Sequence, residues 1–218
     1  MINKKSKIFI AGHKGMIGSA ILRKLKSLSY KNLFFRTRNQ LDLTNQTKVL
    51  NYLNKIKPDA VIIAAAKVGG IKINNEKKSE FIYENLSIQN NVINSSFKNG
   101  VKNLIFLGSS CVYPKKSKIP IKEKYLMSSQ LEKTNEFYAI AKIAGIKLCE
   151  SYNKQYGLNY KSLMPCNVYG INDNYDINQS HFFPALVKKV IDASLNKKKF
   201  IKIWGSGKPL RELIYCDD

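Results

Sequence analysis

The stretch KIFIAGHKGMIG, residues 7–18, decides the fold of this 218-residue chain. Lys7–Ala11 is a short apolar run with the character of a buried strand, and apolar residues recur at helical spacing after Gly18. Between the two stand Gly12, Gly15 and Gly18, which let the backbone approach an anionic group at the start of a helix. Strand, glycine turn and helix together predict a site for the pyrophosphate of a dinucleotide. A tight structural turn is the alternative, because the spacing is Gly-x-x-Gly-x-x-Gly and not Gly-x-Gly-x-x-Gly.

Strands and helices then alternate along the chain. Strands are expected at Leu33–Thr37, Ala60–Ala66, Asn103–Leu107 and Tyr160–Met164, with helical patterns between them. This alternation predicts an α/β fold, a Rossmann-type doubly wound parallel sheet with helices on both faces. Ligands of such sheets collect beyond the carboxyl ends of the strands. We therefore expect one cleft to be lined by the loops Gly12–Gly18, Ala64–Gly70, Gly108–Tyr113 and Pro165–Gly170.

The pattern changes after Gly170. Residues 1–170 are expected to form the nucleotide-binding domain with the catalytic residues, and residues 171–218 to begin a small substrate-binding domain. A helix is predicted over Pro184–Asn196 and a short strand over Phe200–Trp204. The chain ends in mid-pattern at Asp218, so the second domain is expected to be truncated.

The composition is strongly basic, with 37 Lys and Arg against 15 Asp and Glu. The basic residues are spread along the whole chain and most are lysine, which favours a compositional bias over a nucleic-acid site. No apolar run is long enough to span a bilayer. The four cysteines have neither paired nor metal-ligand spacing, so we expect free thiols in a reducing cytoplasm and no metal site.

Tyr138 and Lys142 stand four residues apart in a stretch that is predicted to be one helix from Glu136 to Tyr156, closed by Gly157. That spacing places both side chains on one face. A neighbouring ammonium favours the phenolate, so the pKa of Tyr138 is expected to be lowered and the phenol to act as a proton donor. The alternative is a tyrosine at the edge of the core beside a solvated lysine.

The end of the second strand bears on the choice of cofactor. It reads Phe35-Arg36-Thr37-Arg38-Asn39, with two arginines and no acidic residue for a ribose 2′-hydroxyl. An arginine there suits a 2′-phosphate, so NADP(H) is the expected cofactor. Surface arginines are the alternative interpretation.

These residues together resemble the extended short-chain dehydrogenase/reductase family. The resemblance extends over the whole chain and is carried most specifically by residues 64–71, 107–114 and 138–145. Within the family these motifs imply an NADPH-dependent 3,5-epimerase and 4-reductase that converts GDP-4-keto-6-deoxy-D-mannose to GDP-L-fucose. They also imply a homodimer formed through the helix that bears Tyr138. Lys14 and Cys166 depart from the usual family residues, which are arginine and threonine.

The resemblance also implies roles for single residues. Tyr138 is the expected proton donor, Lys142 its pKa partner and a ribose contact, and Ser109 a second donor to the oxyanion. Cys111 and His181 are the expected epimerisation pair. Cofactor contacts are implied for Gly12, His13, Lys14, Gly15, Met16, Ile17, Gly18, Arg38, Leu107, Gly108, Lys142, Pro165, Asn167, Val168 and His181, and substrate contacts for Lys189, Trp204 and Arg211.

A purely structural role is the alternative interpretation for several of these residues. Cys111 alone is compatible with a small buried hydrophobe, and His181 with a loop histidine bonded to backbone. Lys189 is compatible with a solvated helix residue and Trp204 with a core residue. For the whole chain, the alternatives are another nucleotide-sugar epimerase or reductase of the same superfamily, which needs no Cys111–His181 pair, and a non-catalytic NADP-binding sensor, which would typically lack Tyr138.

Overall fold

The computed structural model describes residues 2–177, 179–203 and 205–218. Five strands form its main sheet: Ile8–Ala11 (β1), Leu33–Phe34 (β2), Ala60–Ile63 (β3), Asn103–Leu107 (β4) and Asn159–Leu163 (β5). They run parallel in the order β2-β1-β3-β4-β5. The chain crosses from one side of β1 to the other, so the topological switch point lies between β1 and β3, where open α/β sheets bind their ligands.

Helices cover both faces of this sheet. The α-helices of the structure are Met16–Ser27 (α1), Gln46–Ile56 (α2), Ile71–Glu76 (α3), Lys78–Lys98 (α4), Glu136–Tyr156 (α5) and Phe182–Leu195 (α6). Right-handed crossovers place α1 on one face and α2, α4 and α5 on the other, where α4 packs against both α2 and α5. The predicted doubly wound parallel sheet is confirmed.

Local sequence explains where the main helices begin and end. The Asn45 side chain accepts a hydrogen bond of 2.9 Å from the Lys48 N–H at the start of α2. At the end of α5, Gly157 has φ +65°, and its N–H donates to the Asn153 carbonyl. The predicted helix from Glu136 to Tyr156, closed by Gly157, is confirmed.

The core lies between the sheet and the helices α2, α4 and α5 that cover one of its faces. Its largest buried side chains are apolar and include Phe9, Leu53, Phe81, Ile93, Leu104 and Phe106. Burying one such side chain is worth about 1.5–3 kcal/mol, so this face provides much of the stability that holds the carboxyl ends of the strands in place.

A second sheet was not predicted. Asn167–Tyr169 (β6) pairs in parallel with Leu213–Tyr215 (β7). The strand predicted over Phe200–Trp204 is wrong for residues 200–203, which are not in a strand, and Trp204 lies outside the described residues. The segment that supplies main-chain pairing to β6 is β7. The division into residues 1–170 and 171–218 stays a prediction.

The predicted second strand is also shorter than expected. It ends at Phe34 and does not continue to Thr37, because the following backbone groups bond within a turn. The N–H groups of Gln40 and Leu41 donate to the Thr37 carbonyl, and the Thr37 N–H donates to the Gln40 side chain. Arg38 therefore stands on a turn. Within the described residues, no helix combines the length and apolarity needed to cross a bilayer.

Candidate active site

The glycine turn packs directly against the loop that follows β3. A Cβ on Gly12, which has φ +89°, would lie 2.5 Å from the Ala65 nitrogen, and one on Gly18 would lie 2.1 Å from the Gly12 oxygen. Those two glycines are required by close backbone packing. A Cβ on Gly15 would meet only the Gly12 oxygen, at 3.5 Å, so Gly15 is the glycine that leaves open space at the start of α1.

The start of α1 fits an anionic group. Gly15 is its N-cap in extended conformation and lacks a side chain to bond the first N–H groups, and the first turn has no acidic residue. His13 stacks its ring 4.6 Å from that of Phe35. Within the described residues its buried Nδ1 has no hydrogen-bond partner, and burial together with Lys14 lowers the pKa of His13. These unmatched donors and the open space at Gly15 suit a dinucleotide pyrophosphate.

Lys142 is fixed at the carboxyl end of β4. It is 3 % exposed, and its Nζ donates a hydrogen bond of 2.7 Å to the Leu107 carbonyl oxygen. The same Nζ lies 4.8 Å from the ring centre of Phe106 and 5.7 Å from that of Tyr138. The predicted Tyr138–Lys142 pair therefore occupies one face of α5, turned towards the end of the sheet.

Ser109 and Cys111 stand in the loop after β4, beside this pair. Ser109 Oγ accepts a hydrogen bond of 3.3 Å from the Cys111 N–H, and the Ser109 hydroxyl lies close enough to Tyr138 to oppose the rise in the pKa of that tyrosine. The loop is tied to the end of β5 because the Ser110 N–H donates to the Pro165 carbonyl at 3.1 Å. The structure thus brings four of the five predicted catalytic side chains into one cluster: Ser109, Cys111, Tyr138 and Lys142.

Burial governs the ionisation of this cluster. It lowers the pKa of Lys142 to about 8, and it raises the pKa of the Cys111 thiol, although Ser109 and Lys142 oppose that rise. Burial and the nearby Cys111 also raise the pKa of Tyr138. The expected lowering of the Tyr138 pKa is therefore wrong for this structure, because desolvation of the phenolate outweighs its stabilisation and the Lys142 ammonium is directed at the Leu107 carbonyl.

His181 is the fifth predicted catalytic residue and precedes α6. Its loop packs on the loop after β3, since the Gly70 N–H donates to the Gln179 carbonyl at 2.8 Å and a Cβ on Gly70 would lie 2.2 Å from the Ser180 oxygen. The electrostatic neighbour of His181 is Asp173. Desolvation lowers the pKa of His181, and the Asp173 carboxylate opposes that shift. In the part of the chain that the structure describes, no contact joins His181 to Cys111.

Other predicted cofactor residues lie along the same edge. Gly108 donates its N–H to the Leu163 carbonyl at 2.8 Å, and Asn167 and Val168 pair with β7. Arg38 is largely solvent-exposed, with a side chain that is 72 % accessible, and contacts Glu84 at 3.4 Å. The expected convergence of loops is supported by these contacts, while the roles of the single residues stay predictions.

Two of the predicted substrate residues, Lys189 and Arg211, lie in the part of the chain that follows His181. Lys189, on α6, donates from Nζ to the Lys202 carbonyl at 3.0 Å, and Arg211 is exposed with its guanidinium on the Leu210 carbonyl. The prediction for Trp204 falls outside the described residues.

Comparison with known proteins agrees with this arrangement. The family model for the NAD dependent epimerase/dehydratase family matches residues 8–218. The chain belongs to that family. Its relatives within the epimerase/dehydratase family include the GDP-L-fucose synthase of Sinorhizobium fredii, 52 % identical over 97 % of this chain and 67 % of that protein. GDP-L-fucose synthase 1 of Arabidopsis thaliana is 50 % identical over 100 % of this chain and 68 % of that protein. The chain thus spans about two thirds of the length of these relatives.

A solved structure of the same epimerase/dehydratase fold is a GDP-mannoheptose C4 reductase from Campylobacter jejuni with NADP bound. It is 41 % identical to this chain, with a TM-score of 0.90 over 100 % of this chain and 71 % of that one. The family resemblance drawn from the motifs is confirmed, and so is the expectation of an enzyme.

Three features near the epimerase/dehydratase site were not predicted from the sequence: the packing of Gly145, the hydrogen bond of Gln89 and the contacts of Glu84. A Cβ on Gly145 would lie 2.6 Å from the Phe106 ring, so this glycine lets α5 approach β4, and buried Gln89 donates to the Ala141 carbonyl at 2.6 Å. The signal was a glycine in the interior of a helix, which commonly has a packing reason. The carboxylate of Glu84, which contacts Arg38 and Lys67, had no signal, because it comes from a helix far along the chain.

Proposed function

We propose that this chain carries the cofactor-binding and catalytic part of a GDP-L-fucose synthase, which epimerises GDP-4-keto-6-deoxy-D-mannose at carbons 3 and 5 and reduces carbon 4 with NADPH. The observation that carries the proposal is the cluster of Ser109, Cys111, Tyr138 and Lys142 at the end of β4. It stands in a chain that is about half identical to curated GDP-L-fucose synthases.

The glycine turn and the start of α1 are the proposed seat of the NADPH pyrophosphate. Gly15 leaves the approach open, and the first N–H groups of α1 supply donors and positive potential. Arg38 supplies a guanidinium for the 2′-phosphate, and Lys142 contacts the nicotinamide ribose. When bound, NADPH supplies the hydride for carbon 4.

Tyr138 is the proposed proton donor in the reduction. Its raised pKa keeps the phenol protonated at neutral pH, which is the form a donor requires. The oxygen on carbon 4 gains negative charge during reduction and takes the phenolic proton. Ser109, in contact with Tyr138, donates a second hydrogen bond to the same oxygen.

Cys111 and His181 are the proposed acid–base pair of the epimerisation. Carbons 3 and 5 flank the ketone, so a base can remove their protons while Ser109 and Tyr138 stabilise the enolate oxygen. The Cys111 thiolate removes a proton from one face, and protonated His181 returns one to the other. The two side chains need not touch, because the sugar ring has to stand between them.

The remaining assignments belong to the same proposal. Lys189, Trp204 and Arg211 contact substrate, and residues 171–218 belong to the substrate-binding domain, while residues 1–170 bind the cofactor. A homodimer forms through α5, whose Phe137 and Ile140 are exposed. A reducing cytoplasm suits the four free cysteines.

A GDP-sugar C4 reductase without epimerase activity is the second candidate. It is favoured by the Campylobacter jejuni reductase, which is 41 % identical to this chain. The cluster around Tyr138 serves both activities. Cys111 and His181 are needed only if carbons 3 and 5 are inverted, so the two candidates differ in solvent-proton exchange at those carbons.

The test is turnover of GDP-4-keto-6-deoxy-D-mannose with NADPH. The loss of NADPH absorbance measures the rate, and NMR identifies the product. It is run with this chain and with a form carrying a carboxyl-terminal extension of the length found in the relatives. GDP-L-fucose is the expected product, and a 4-reduced sugar with uninverted carbons 3 and 5 would favour the second candidate. Tyr138→Phe is the control for the chemistry, with Tyr156→Phe as the matched change at the exposed end of the same helix.

A further inference from the structure

Two cations from separate loops share one carboxylate at the edge of the proposed cofactor site. Arg38, on the turn after β2, places Nη2 3.4 Å from Glu84 Oε2. Lys67, in the loop after β3, makes a close ion pair through Nζ with Glu84 Oε1. Glu84 stands on α4 and bridges two loops that follow β2 and β3, the strands on either side of β1.

The carboxylate is held more firmly than the arginine. The Glu84 side chain is 19 % exposed and that of Lys67 is 28 % exposed, whereas that of Arg38 is 72 % exposed. The adjacent Asn85 fixes the backbone of Lys67, since its side chain accepts from the Lys67 N–H and donates to the Lys67 carbonyl, both at 3.0 Å. Glu84 and Lys67 thus form a fixed pair, against which Arg38 makes a longer and more exposed contact.

This triad of Arg38, Glu84 and Lys67 lies where a dinucleotide fold distinguishes its cofactors. Gly12 of the pyrophosphate turn packs on Ala65, two residues before Lys67. In such folds the residues after the second strand contact the adenosine ribose. An acidic residue there binds a 2′-hydroxyl, and an arginine binds a 2′-phosphate. An acid is missing from the sequence of that turn, but α4 supplies one.

We propose that Glu84 is a specificity-determining residue that limits the preference of this chain for NADP over NAD. Its carboxylate is a resident counter-ion for Arg38 and Lys67, and an incoming 2′-phosphate has to share those cations with it. NAD has no 2′-phosphate, so its binding does not compete with Glu84 for these two cations. The inference rests on the proposed use of NADP.

The charges give the direction of the effect. The triad carries a net charge of +1, from two cations and one carboxylate, and replacing Glu84 by glutamine raises that charge to +2 without shortening the side chain. A 2′-phosphate bears between one and two negative charges, so the loss of one nearby carboxylate strengthens its binding. At a partly exposed site we expect roughly a three- to tenfold increase in the ratio of the NAD to the NADP dissociation constant.

The experiment measures the dissociation constants of NADP⁺ and NAD⁺ by calorimetry at low ionic strength, for the parent chain, Glu84→Gln and Glu84→Ala. Two charge-free variants are used so that the result does not depend on the folding of one, and far-UV circular dichroism checks both. Glu80→Gln is the matched control, because Glu80 is an exposed acid one turn earlier on α4. The control should retain the parent ratio, while both Glu84 variants should raise it through tighter NADP⁺ binding.

Suppose that the parent chain prefers NADP⁺ and that the ratio of the NAD⁺ to the NADP⁺ dissociation constant is unchanged or lower in the Glu84 variants. That result overturns the inference and leaves the proposed function standing. A lower ratio would mean that Glu84 holds the cations in place for the phosphate. A parent chain that binds NADP⁺ no more tightly than NAD⁺ overturns the inference together with the proposed use of NADP. An equal rise in Glu80→Gln would make the effect one of general charge and overturn it as well.

Discussion

The Lys142 ammonium donates a hydrogen bond of 2.7 Å to the carbonyl oxygen of Leu107, the last residue of β4. This contact joins α5 to the carboxyl end of the sheet, and it positions the lysine 5.7 Å from the ring centre of Tyr138. The lysine is almost completely buried and lacks an acidic partner among its described contacts. Its placement therefore serves the site at a cost in stability.

The first prediction follows from that cost. Burial lowers the pKa of Lys142 from 10.5 to about 8. Below pH 8 the folded protein carries a buried charge that the unfolded chain holds in water, and between pH 8 and 10.5 only the unfolded chain keeps the proton. The free energy of unfolding of the parent therefore rises with pH through that window, relative to a variant without this group. Lys142→Met should be more stable than the parent at pH 7, by on the order of 1–3 kcal/mol.

Urea unfolding at pH values from 7 to 10.5 checks this prediction. The gap between Lys142→Met and the parent should narrow as the pH rises, although the variant also leaves the Leu107 carbonyl without its donor. Lys154→Met is the control on the same helix, since that lysine side chain is 75 % exposed and should not alter the pH dependence. A constant gap across the whole range would contradict the prediction.

The second prediction separates the roles of two glycines of the turn, Gly15 and Gly18. Gly15→Ala should leave the thermal midpoint nearly unchanged, because the added Cβ meets only the Gly12 oxygen at 3.5 Å, but it should weaken NADP⁺ binding by obstructing the proposed pyrophosphate seat. Gly18→Ala places a Cβ 2.1 Å from the same oxygen, so it should lower the midpoint strongly. Thermal unfolding and calorimetry are the two measurements. Equal loss of stability in both variants would show that Gly15 is also a packing residue.

The fold could be predicted because its signals are local. Asn45 caps the start of α2 and Gly157 the end of α5 through contacts within a few residues. The glycine turn likewise indicates where the first crossover begins. The errors arise where contacts between segments that are distant in sequence determine the structure. The pairing of β6 with β7 joins residues more than 40 positions apart, and Glu84 on α4 contacts Arg38 on the turn after β2. The sequence likewise places a lysine near Tyr138 without revealing that burial, and not the ammonium, dominates the tyrosine pKa.

The third prediction concerns the reductive half of the chemistry. Tyr138→Phe removes the proposed proton donor but keeps the ring that packs edge-on against Phe81 at 6.3 Å. In the active enzyme we expect the rate of reduction to fall by roughly 10²–10⁴, with NADP⁺ affinity unchanged. Single-turnover loss of NADPH absorbance measures the rate. A fall of less than tenfold would show that another group, such as Ser109, delivers the proton.

The last prediction separates epimerisation from reduction. The epimerisation requires a base and an acid on opposite faces of the ring, and the proposed pair, Cys111 and His181, lie in the loop after β4 and directly before α6. Cys111→Ala should abolish exchange of solvent deuterium into carbons 3 and 5, while NADP⁺ affinity stays intact and the unepimerised ketone is still reduced slowly. His181→Ala should retain some exchange but slow inversion, because the proton returns to the face that it left.

Mass spectrometry of substrate recovered from deuterated buffer, without NADPH, measures this exchange. Burial raises the pKa of the Cys111 thiol, so the thiolate that acts as base becomes more abundant as the pH rises, and exchange in the parent should increase with pH from 7 to 9. Cys149→Ala is the matched control, since that buried thiol lies on α5 and packs in the core, and the change should leave exchange unaltered in a folded variant. Undiminished deuterium uptake in Cys111→Ala would place the base elsewhere and leave Cys111 a packing residue.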